Sequence, residues 1–227
     1  MSSRTLPIFP LPLVLFPGAA LPLHIFEPRY RQMLADCQDG DGRFGLAYVI
    51  PTPYTDPAPS PGAVGCSAVI EKAEPLPDGR FNILVTGEQR FLLRTYVESD
   101  RLYRMAVVEP YQDEAWDVDD VSELAADVRR AFASYLRALE SMGAAPPFQV
   151  QLAEEPASFS FQVAAALDID AKVKQALLEL RQPSHRLRRL GIILGELIRQ
   201  ARKDSETHAR AKGNGGRTPP TAPELRE

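Results

Sequence analysis

The sequence contains few of the residues on which catalytic and metal sites depend. Its 227 residues include two cysteines, three histidines and one tryptophan. The three histidines lie far apart, and no cysteine or histidine pair has the spacing of a metal site. No phosphate-binding GxxxxGK[ST] loop or GxSxG nucleophile elbow occurs. We therefore expect no catalytic residue, no metal and no cofactor, and we predict that the protein is not an enzyme.

The low cysteine content and the lack of long apolar runs also indicate in which cellular compartment the protein is expected. Cys37 and Cys66 form neither a disulfide scaffold nor a CxxC pair, which favours buried thiols in a reducing cytoplasm. A reactive thiol is the alternative. No run of 18 apolar residues occurs, so we expect no membrane span. The net charge of −4 argues against a protein that mainly binds phosphate backbones.

Proline is the residue in excess, with 21 copies, eleven of them in the first 61 residues. These prolines interrupt the apolar N-terminal stretch, which argues against the continuous helix of a secretory signal. The pattern instead predicts short strands at Leu6–Phe9, Val14–Phe16 and Leu21–Phe26, since proline and its preceding residue favour extended geometry. The proline-rich segment 51–62 is expected to be an exposed, mobile loop.

The remainder of the first half has the pattern of a β meander around one short helix. The helix begins at Glu27-Pro28, and a strand follows over Phe44–Ile50. Asp78-Gly79 between two apolar runs indicates a hairpin, and Gly87 indicates a second break. Strands at this spacing suggest a barrel or sandwich.

After residue 112 the apolar period becomes helical. A helix of about 20 residues is expected before Gly143 and Pro146-Pro147. Three more follow: one over Ser158–Leu167, one capped by Asp170 and one capped by Ser184. Residues 113–168 carry a net charge of −8, and residues 172–202 carry +6. We predict a β subdomain over 1–112, a helical subdomain over 113–203 and a disordered tail over 204–227.

The polar residues that stand out are at the corner between strand and helix, in the sequence HIFEPRYR. One interpretation is structural, with Glu27 paired to a neighbouring arginine. The functional interpretation is that His24, Phe26 and Tyr30 border a groove that accepts an apolar side chain. These three are the predicted substrate-binding residues.

Several motifs resemble the N-terminal substrate-binding domain of the Lon ATP-dependent proteases. They are the FPG at residues 16–18, the HIFEPRYR corner, the PDGRFNI hairpin and the later FSFQVAAALDIDAKVKQALLEL, together covering about residues 5–202. The resemblance implies an α+β fold: a PUA-like β pseudo-barrel with one short helix, followed by a small C-terminal helical bundle. Lon continues into ATPase and protease domains whose motifs have no counterpart here, so the sequence resembles the stand-alone proteins of this family.

The resemblance also implies a function. Domains of this type recognise apolar segments of unfolded or tagged polypeptide, which predicts a non-catalytic binding module in protein quality control, with an adaptor or chaperone-like role. A protease or chaperone is the expected partner, and the family allows a homodimer. The alternative is an RNA-binding protein, since the fold is PUA-like and the last helix carries Arg186, Arg188, Arg189, Arg199 and Arg202. We expect nucleic acid not to be the ligand, because basic, aromatic-laced strands are missing.

Overall fold

The structure, a computed structural model, describes residues 3–50, 52, 56–116, 118–141 and 152–214. It has a β-rich N-terminal part and a helical C-terminal part. The strands are β1 Arg4–Leu11, β2 Ala20–Ile25, β3 Arg43–Tyr48, β4 Val64–Pro75, β5 Phe81–Val97 and β6 Arg104–Pro110. The helices are α1 Pro28–Gln38, α2 Val118–Ser141, α3 Pro156–Ala166, α4 Ala171–Glu179 and α5 Pro183–Asn214.

The six strands form one rolled, mixed sheet in the order β2-β5-β4-β3-β1-β6. β1 and β3 are parallel, and the other pairs are antiparallel. β5 is 17 residues long, and its second half pairs with β6 while its first half pairs with β2. β2 extends beyond this roll and, within the described ranges, has one edge without a strand partner, so the sheet is a pseudo-barrel and not a closed barrel.

The local signals for the first helix and the hairpin are confirmed. α1 begins after an N-cap at Glu27, with Pro28 in its first turn, where the missing N–H costs no hydrogen bond. Between β4 and β5, Gly79 has a φ of 80°, a value that glycine adopts without strain. The Leu76 N–H donates to the Arg80 carbonyl at 2.8 Å and closes the turn.

Two predictions for the sheet are wrong for the same reason. Val14–Phe16 is not a strand, because its backbone passes irregularly across β5 at Gly87. Gly87 is not a break either, since β5 runs through it without interruption. A Cβ at this glycine would lie 2.1 Å from the carbonyl oxygen of Phe16, so the residue permits a close crossing of two chain segments.

The segment 51–62 is only partly described, and most of its described residues are exposed, as predicted, although Pro59 and Asp56 are held by contacts. Pro59 is buried, and its carbonyl accepts a hydrogen bond of 2.6 Å from the Tyr96 hydroxyl. Asp56 forms ion pairs with Arg29 and Arg104. Contacts from α1, β5 and β6 therefore hold the second part of this segment in place.

The four predicted helices are present, with changes at their ends. The Asp170 cap is confirmed, since its carboxylate accepts from the Lys172 N–H at 2.7 Å. Ser184 is not the cap of α5, because the helix already begins at Pro183 and the Arg186 N–H donates to the Gln182 carbonyl. α5 continues to Asn214, past the predicted boundary at residue 203. Gly143, Pro146-Pro147 and the rest of the predicted tail, 215–227, lie outside the described residues, and the division into domains stays a prediction.

Phe16 and Leu15 connect the two halves, because adjacent side chains enter different cores. Leu15 packs with α1 and the sheet, in a cluster that includes Phe9, Tyr30 and Phe44. Phe16 packs into the helical core, with its ring centroid 6.2 Å from that of Phe161. The proline-flanked segment around these two residues is therefore held by both cores.

Candidate functional site

An apolar groove of about 540 Å³ lies between the proline-rich N-terminal segment and the helices. This volume is within the range of sites that bind small ligands or a few side chains. One wall is formed by the segment from residue 12 to β2, and the other by α2, α3 and the start of α4. The lining residues are Pro12, Leu13, Val14, Leu15, Gly18, Ala19, Ala20, Leu21, Pro22, Phe132, Leu152, Gln162, Ala165, Ala166, Ile169, Ala171 and Lys174.

Small side chains leave the space that the groove occupies. Ala165 and Ala166 end α3, and Ala171 begins α4, so short side chains flank the turn between the two helices. Phe132 of α2 is buried and forms part of the helical core beneath them. This wall is apolar because the short alanine side chains leave part of the helical core accessible from the groove.

The opposite wall includes the free edge of the sheet. Among the described residues, β2 pairs with β5 alone. The Gly87 N–H donates to the Ala19 carbonyl at 2.9 Å, and bonding alternates along an antiparallel pair. The backbone groups of Ala20 and His24, and the carbonyl of Pro22, therefore point away from β5. Pro22 has no N–H, which shortens the run of free donors on this edge.

Two polar side chains border the groove. The Lys174 ammonium donates to the Ala165 carbonyl at 3.2 Å, and burial lowers the pKa of this lysine. The Gln162 side-chain oxygen accepts from the Ala153 N–H at 2.7 Å. Both groups lie on the helical wall, so polar contacts are available on one side of an otherwise apolar site.

The three predicted substrate-binding residues do not line this groove. The structure keeps His24 and Phe26 together and places Tyr30 apart from them. His24 and Phe26 stack with their ring centroids 6.1 Å apart, and Phe26 is 58% exposed. His24 Nδ1 lies 2.8 Å from Asn82 Oδ1 on the neighbouring strand. Tyr30 is instead buried against Phe9, with centroids 4.2 Å apart. The binding role of all three stays a prediction.

The structural interpretation of the corner is confirmed. Glu27 Oε2 accepts from Arg29 Nε at 3.0 Å, so the carboxylate and guanidinium pair across the start of α1. The same guanidinium lies over the Tyr30 ring at 4.6 Å and bonds to Asp56 at 2.6 Å. A second, polar cavity of about 350 Å³ adjoins this network and is lined by Arg29, Tyr30 and Arg104 among others.

A buried ionic cluster joins β5 to the helical half of the protein. Arg90 of β5 donates to the carbonyls of Leu178 and Leu180, at 2.7 and 2.8 Å, and also to Asp113. Arg186 of α5 pairs with the same Asp113 and donates to Ser160 Oγ at 2.6 Å. Burial lowers the pKa of Arg90, which nonetheless stays a cation beside the carboxylate. One carboxylate thus joins a strand and a helix from opposite halves of the protein.

This cluster bears on the five arginines of α5 that suggested the nucleic-acid alternative. Arg186 is fully buried and lies 3.8 Å above the Phe161 ring, so it is unavailable to a phosphate. Arg199 pairs with Glu196 three residues earlier. Arg188, Arg189 and Arg202 are exposed. One of the five arginines that supported the nucleic-acid alternative is therefore buried and inaccessible to a phosphate.

The two cysteines are inaccessible thiols. Cys37 and Cys66 are free and buried, and this burial raises the pKa of each thiol to about 12. In the part of the chain that the structure describes, no three His, Cys, Asp or Glu side chains are placed to hold a metal ion. Within the same ranges, every helix is too short or too polar to span a bilayer.

Sequence comparison links the chain to one family. Residues 5–196 match the model of the ATP-dependent protease La (LON) substrate-binding domain. The Lon protease of Rhizobium meliloti (strain 1021) is 29% identical over 199 residues, which are 86% of this chain and 24% of that protein. Lon protease 3 of Sorangium cellulosum (strain So ce56) is 27% identical over 187 residues, 81% and 22% of the two chains. The chain spans about a quarter of the length of these relatives.

Solved structures agree with the sequence matches. A Lon N-terminal domain protein from Xanthomonas campestris aligns with a TM-score of 0.58 at 25% identity, covering 82% of this chain and 96% of that one. The N-terminal domain of the Mycobacterium avium complex Lon protease aligns with a TM-score of 0.65 at 18% identity, covering 86% and 98%. The second likeness concerns the fold alone. These findings confirm the resemblance and the predicted α+β architecture.

The groove itself was not predicted from the sequence, although two signals for it were present. The first is the run FPGAALP, in which small residues and prolines precede an edge strand. The second is the run AAALDIDA across the turn between α3 and α4. Each signal is weak alone, because only the packing of distant segments places the two runs opposite each other.

Proposed function

Because the chain belongs to the LON substrate-binding domain family, we propose that its apolar groove binds apolar segments of polypeptide. The observation that supports this most directly is the position of the groove beside the free edge of β2. An extended peptide can add backbone hydrogen bonds to such an edge while its side chains enter the groove. Binding of this kind needs no catalytic group.

The energetics are adequate for a weak, general binder. A micromolar dissociation constant corresponds to about −8 kcal/mol. Burying two or three apolar side chains contributes about 1.5–3 kcal/mol each, and edge hydrogen bonds supply the remainder. Such affinity suits a module that must release many different segments.

The predicted residues His24 and Phe26 extend the same site in this proposal. They follow Ala20 and Pro22 along the chain, and β2 carries His24 about 13 Å beyond Ala20 at the usual rise per residue. A segment that leaves the groove along β2 would meet the stacked rings. Tyr30, packed beneath Arg29, would act on binding by holding the corner in place.

The cellular role follows from the substrate class. We propose a non-catalytic, cytoplasmic module that holds unfolded or tagged polypeptide for a protease or chaperone. Association of two copies is compatible with this role. The match to a substrate-binding domain supports the first step, the capture of polypeptide.

Fluorescence anisotropy with a short labelled peptide tests this function. The peptide is rich in Phe and Leu and carries a C-terminal amide. We expect micromolar binding that survives about 0.5 M NaCl, because apolar contacts are not screened. Ala20→Asp places a charge in the groove at an exposed position and is expected to weaken binding about tenfold or more.

The matched control is Ala126→Asp, since Ala126 is exposed on α2 and does not line the groove. It should bind as the parent does. Equal affinity of both variants would place the peptide elsewhere. Loss of binding in salt, together with salt-sensitive binding of RNA, would favour the nucleic-acid alternative.

A further inference from the structure

Lys174 carries a positive charge into the wall of the apolar groove. It lies on α4, half-buried, close to Ala165 at the end of α3. Among the described residues, no carboxylate forms an ion pair with its ammonium, and the exposed Asp168 in the preceding turn acts only at longer range. Asp170, also nearby in the chain, accepts from the Lys172 N–H and caps α4. The groove therefore holds a cation without a close counterion.

The donors of this wall are only partly used within the protein. An ammonium has three donors, and Lys174 gives one to the Ala165 carbonyl at 3.2 Å. Gln162 precedes Ala165 by one turn of α3 and uses its side-chain oxygen to accept from Ala153. Among the described residues its amide NH₂ group has no acceptor, which makes it a donor on the same wall. These donors match the two oxygens of a carboxylate.

We propose that the groove binds the C-terminal end of an apolar polypeptide, with the terminal carboxylate paired to Lys174. This inference rests on the proposed function and narrows its substrate class from apolar segments to apolar C-termini. A chain end joins a carboxylate directly to an apolar last residue, which complements a cation at the wall of an apolar groove. A half-buried ammonium without a counterion is unfavourable, so the site favours an anion over a neutral amide.

Two peptides of one sequence test the proposal. Both carry fluorescein at the N-terminus and end in Leu-Ala-Ala, one as the free acid and the other as the amide. The parent protein should bind the acid about tenfold more tightly, the effect of one charge-assisted contact. Lys174→Met should reduce the preference for the acid peptide to less than about twofold and leave the affinity for the amide peptide unchanged. Lys174→Arg keeps the positive charge and should therefore keep part of the preference.

Lys172→Met is the matched control, since Lys172 is exposed on the same helix and does not line the groove. It should keep the full preference for the acid. Equal affinities of the parent for acid and amide would overturn the proposal while leaving the proposed function intact, whether or not Lys174→Met folds. Binding of neither peptide would contradict the proposed function itself. Displacement of the acid peptide by decanoate as effective as that by unlabelled peptide would assign the groove to fatty acids instead.

Discussion

Arg186 of α5 and Asp113, which precedes α2, form a buried ion pair with 2.8 Å between Nη2 and Oδ2. Arg90 from β5 shares the same carboxylate, so two guanidinium groups converge on one acid. Both arginines also donate to the Leu180 carbonyl. The helical half is thereby attached to the sheet by a polar cluster, in addition to the apolar contacts of Phe16.

The first prediction is that Asp113→Asn strongly destabilises the protein. The substitution removes the anion between two buried arginines, and breaking a buried pair costs about 3–5 kcal/mol. Urea unfolding followed by circular dichroism measures this loss. Asp127→Asn is the control, because Asp127 forms an exposed pair with Arg130 and should change stability by less than about 0.5 kcal/mol.

If Asp113→Asn does not fold, a milder change in the same cluster still tests it. Ser160→Ala removes the 2.6 Å bond to Arg186 Nε and should cost about 1–3 kcal/mol. A loss below about 0.5 kcal/mol in either variant would show that the cluster does not hold the halves together.

A second prediction concerns the close crossing at Gly87. A Cβ at this position would meet the Phe16 carbonyl oxygen at 2.1 Å, so Gly87→Ala must displace backbone. We expect a loss of about 1–3 kcal/mol or more. Gly191→Ala on α5 is the counterpart, because a Cβ there meets nothing within 4 Å and alanine favours a helix by about 0.5–1 kcal/mol. Thermal unfolding should show Gly87→Ala below the parent and Gly191→Ala at or above it, and a Gly87→Ala variant as stable as the parent would refute the crossing.

The third prediction is that both thiols are inert in the folded protein. Burial raises the pKa of Cys37 and of Cys66 to about 12, so the reactive thiolate is scarce at pH 8. Labelling with a disulfide reagent should be at least about a hundredfold slower in the native protein than in guanidinium. Unfolded thiols ionise first as pH rises, so stability should fall above about pH 9. Rapid labelling of the native protein would support the alternative of a reactive cysteine.

A fourth prediction tests the residues proposed from the strand–helix corner. Phe26→Ala removes a ring that is 58% exposed, so the free energy of unfolding should change by less than about 0.5 kcal/mol. If the ring contacts the bound segment, affinity for the amidated peptide should fall about fivefold, as expected for one aromatic contact. Tyr30→Ala serves as the contrast, because loss of that buried ring should cost about 3–5 kcal/mol of stability. Parent-like affinity of folded Phe26→Ala would confine the site to the groove.

The sequence was most informative where local chemistry decides the outcome. The start of α1 at Pro28, the turn at Gly79 and the cap at Asp170 depend on residues close in the chain. Each was predicted from a preference of proline, glycine or aspartate that holds in any fold. The family motifs added the order of the two halves.

The predictions failed where distant segments meet. Val14–Phe16 has the composition of a strand, but its adjacent residues Leu15 and Phe16 pack into two separate cores. Arg186 has the sequence context of a surface helix, yet Asp113 lies 73 residues away along the chain and holds it in the interior. The groove has the same origin, since its two walls come from residues 12–22 and from the helices beyond residue 131. No local pattern specifies such pairings.

The central claim is that the groove beside β2 binds apolar polypeptide. The most direct test is a titration of ¹⁵N-labelled protein with the amidated Phe- and Leu-rich peptide, followed by amide NMR shifts. The account predicts that the largest shifts cluster at residues 18–24 and 162–174, the two walls of the groove. Shifts confined to α5 or to the polar cavity around Arg104, with β2 and the α3–α4 turn unchanged while the peptide is bound, would contradict it.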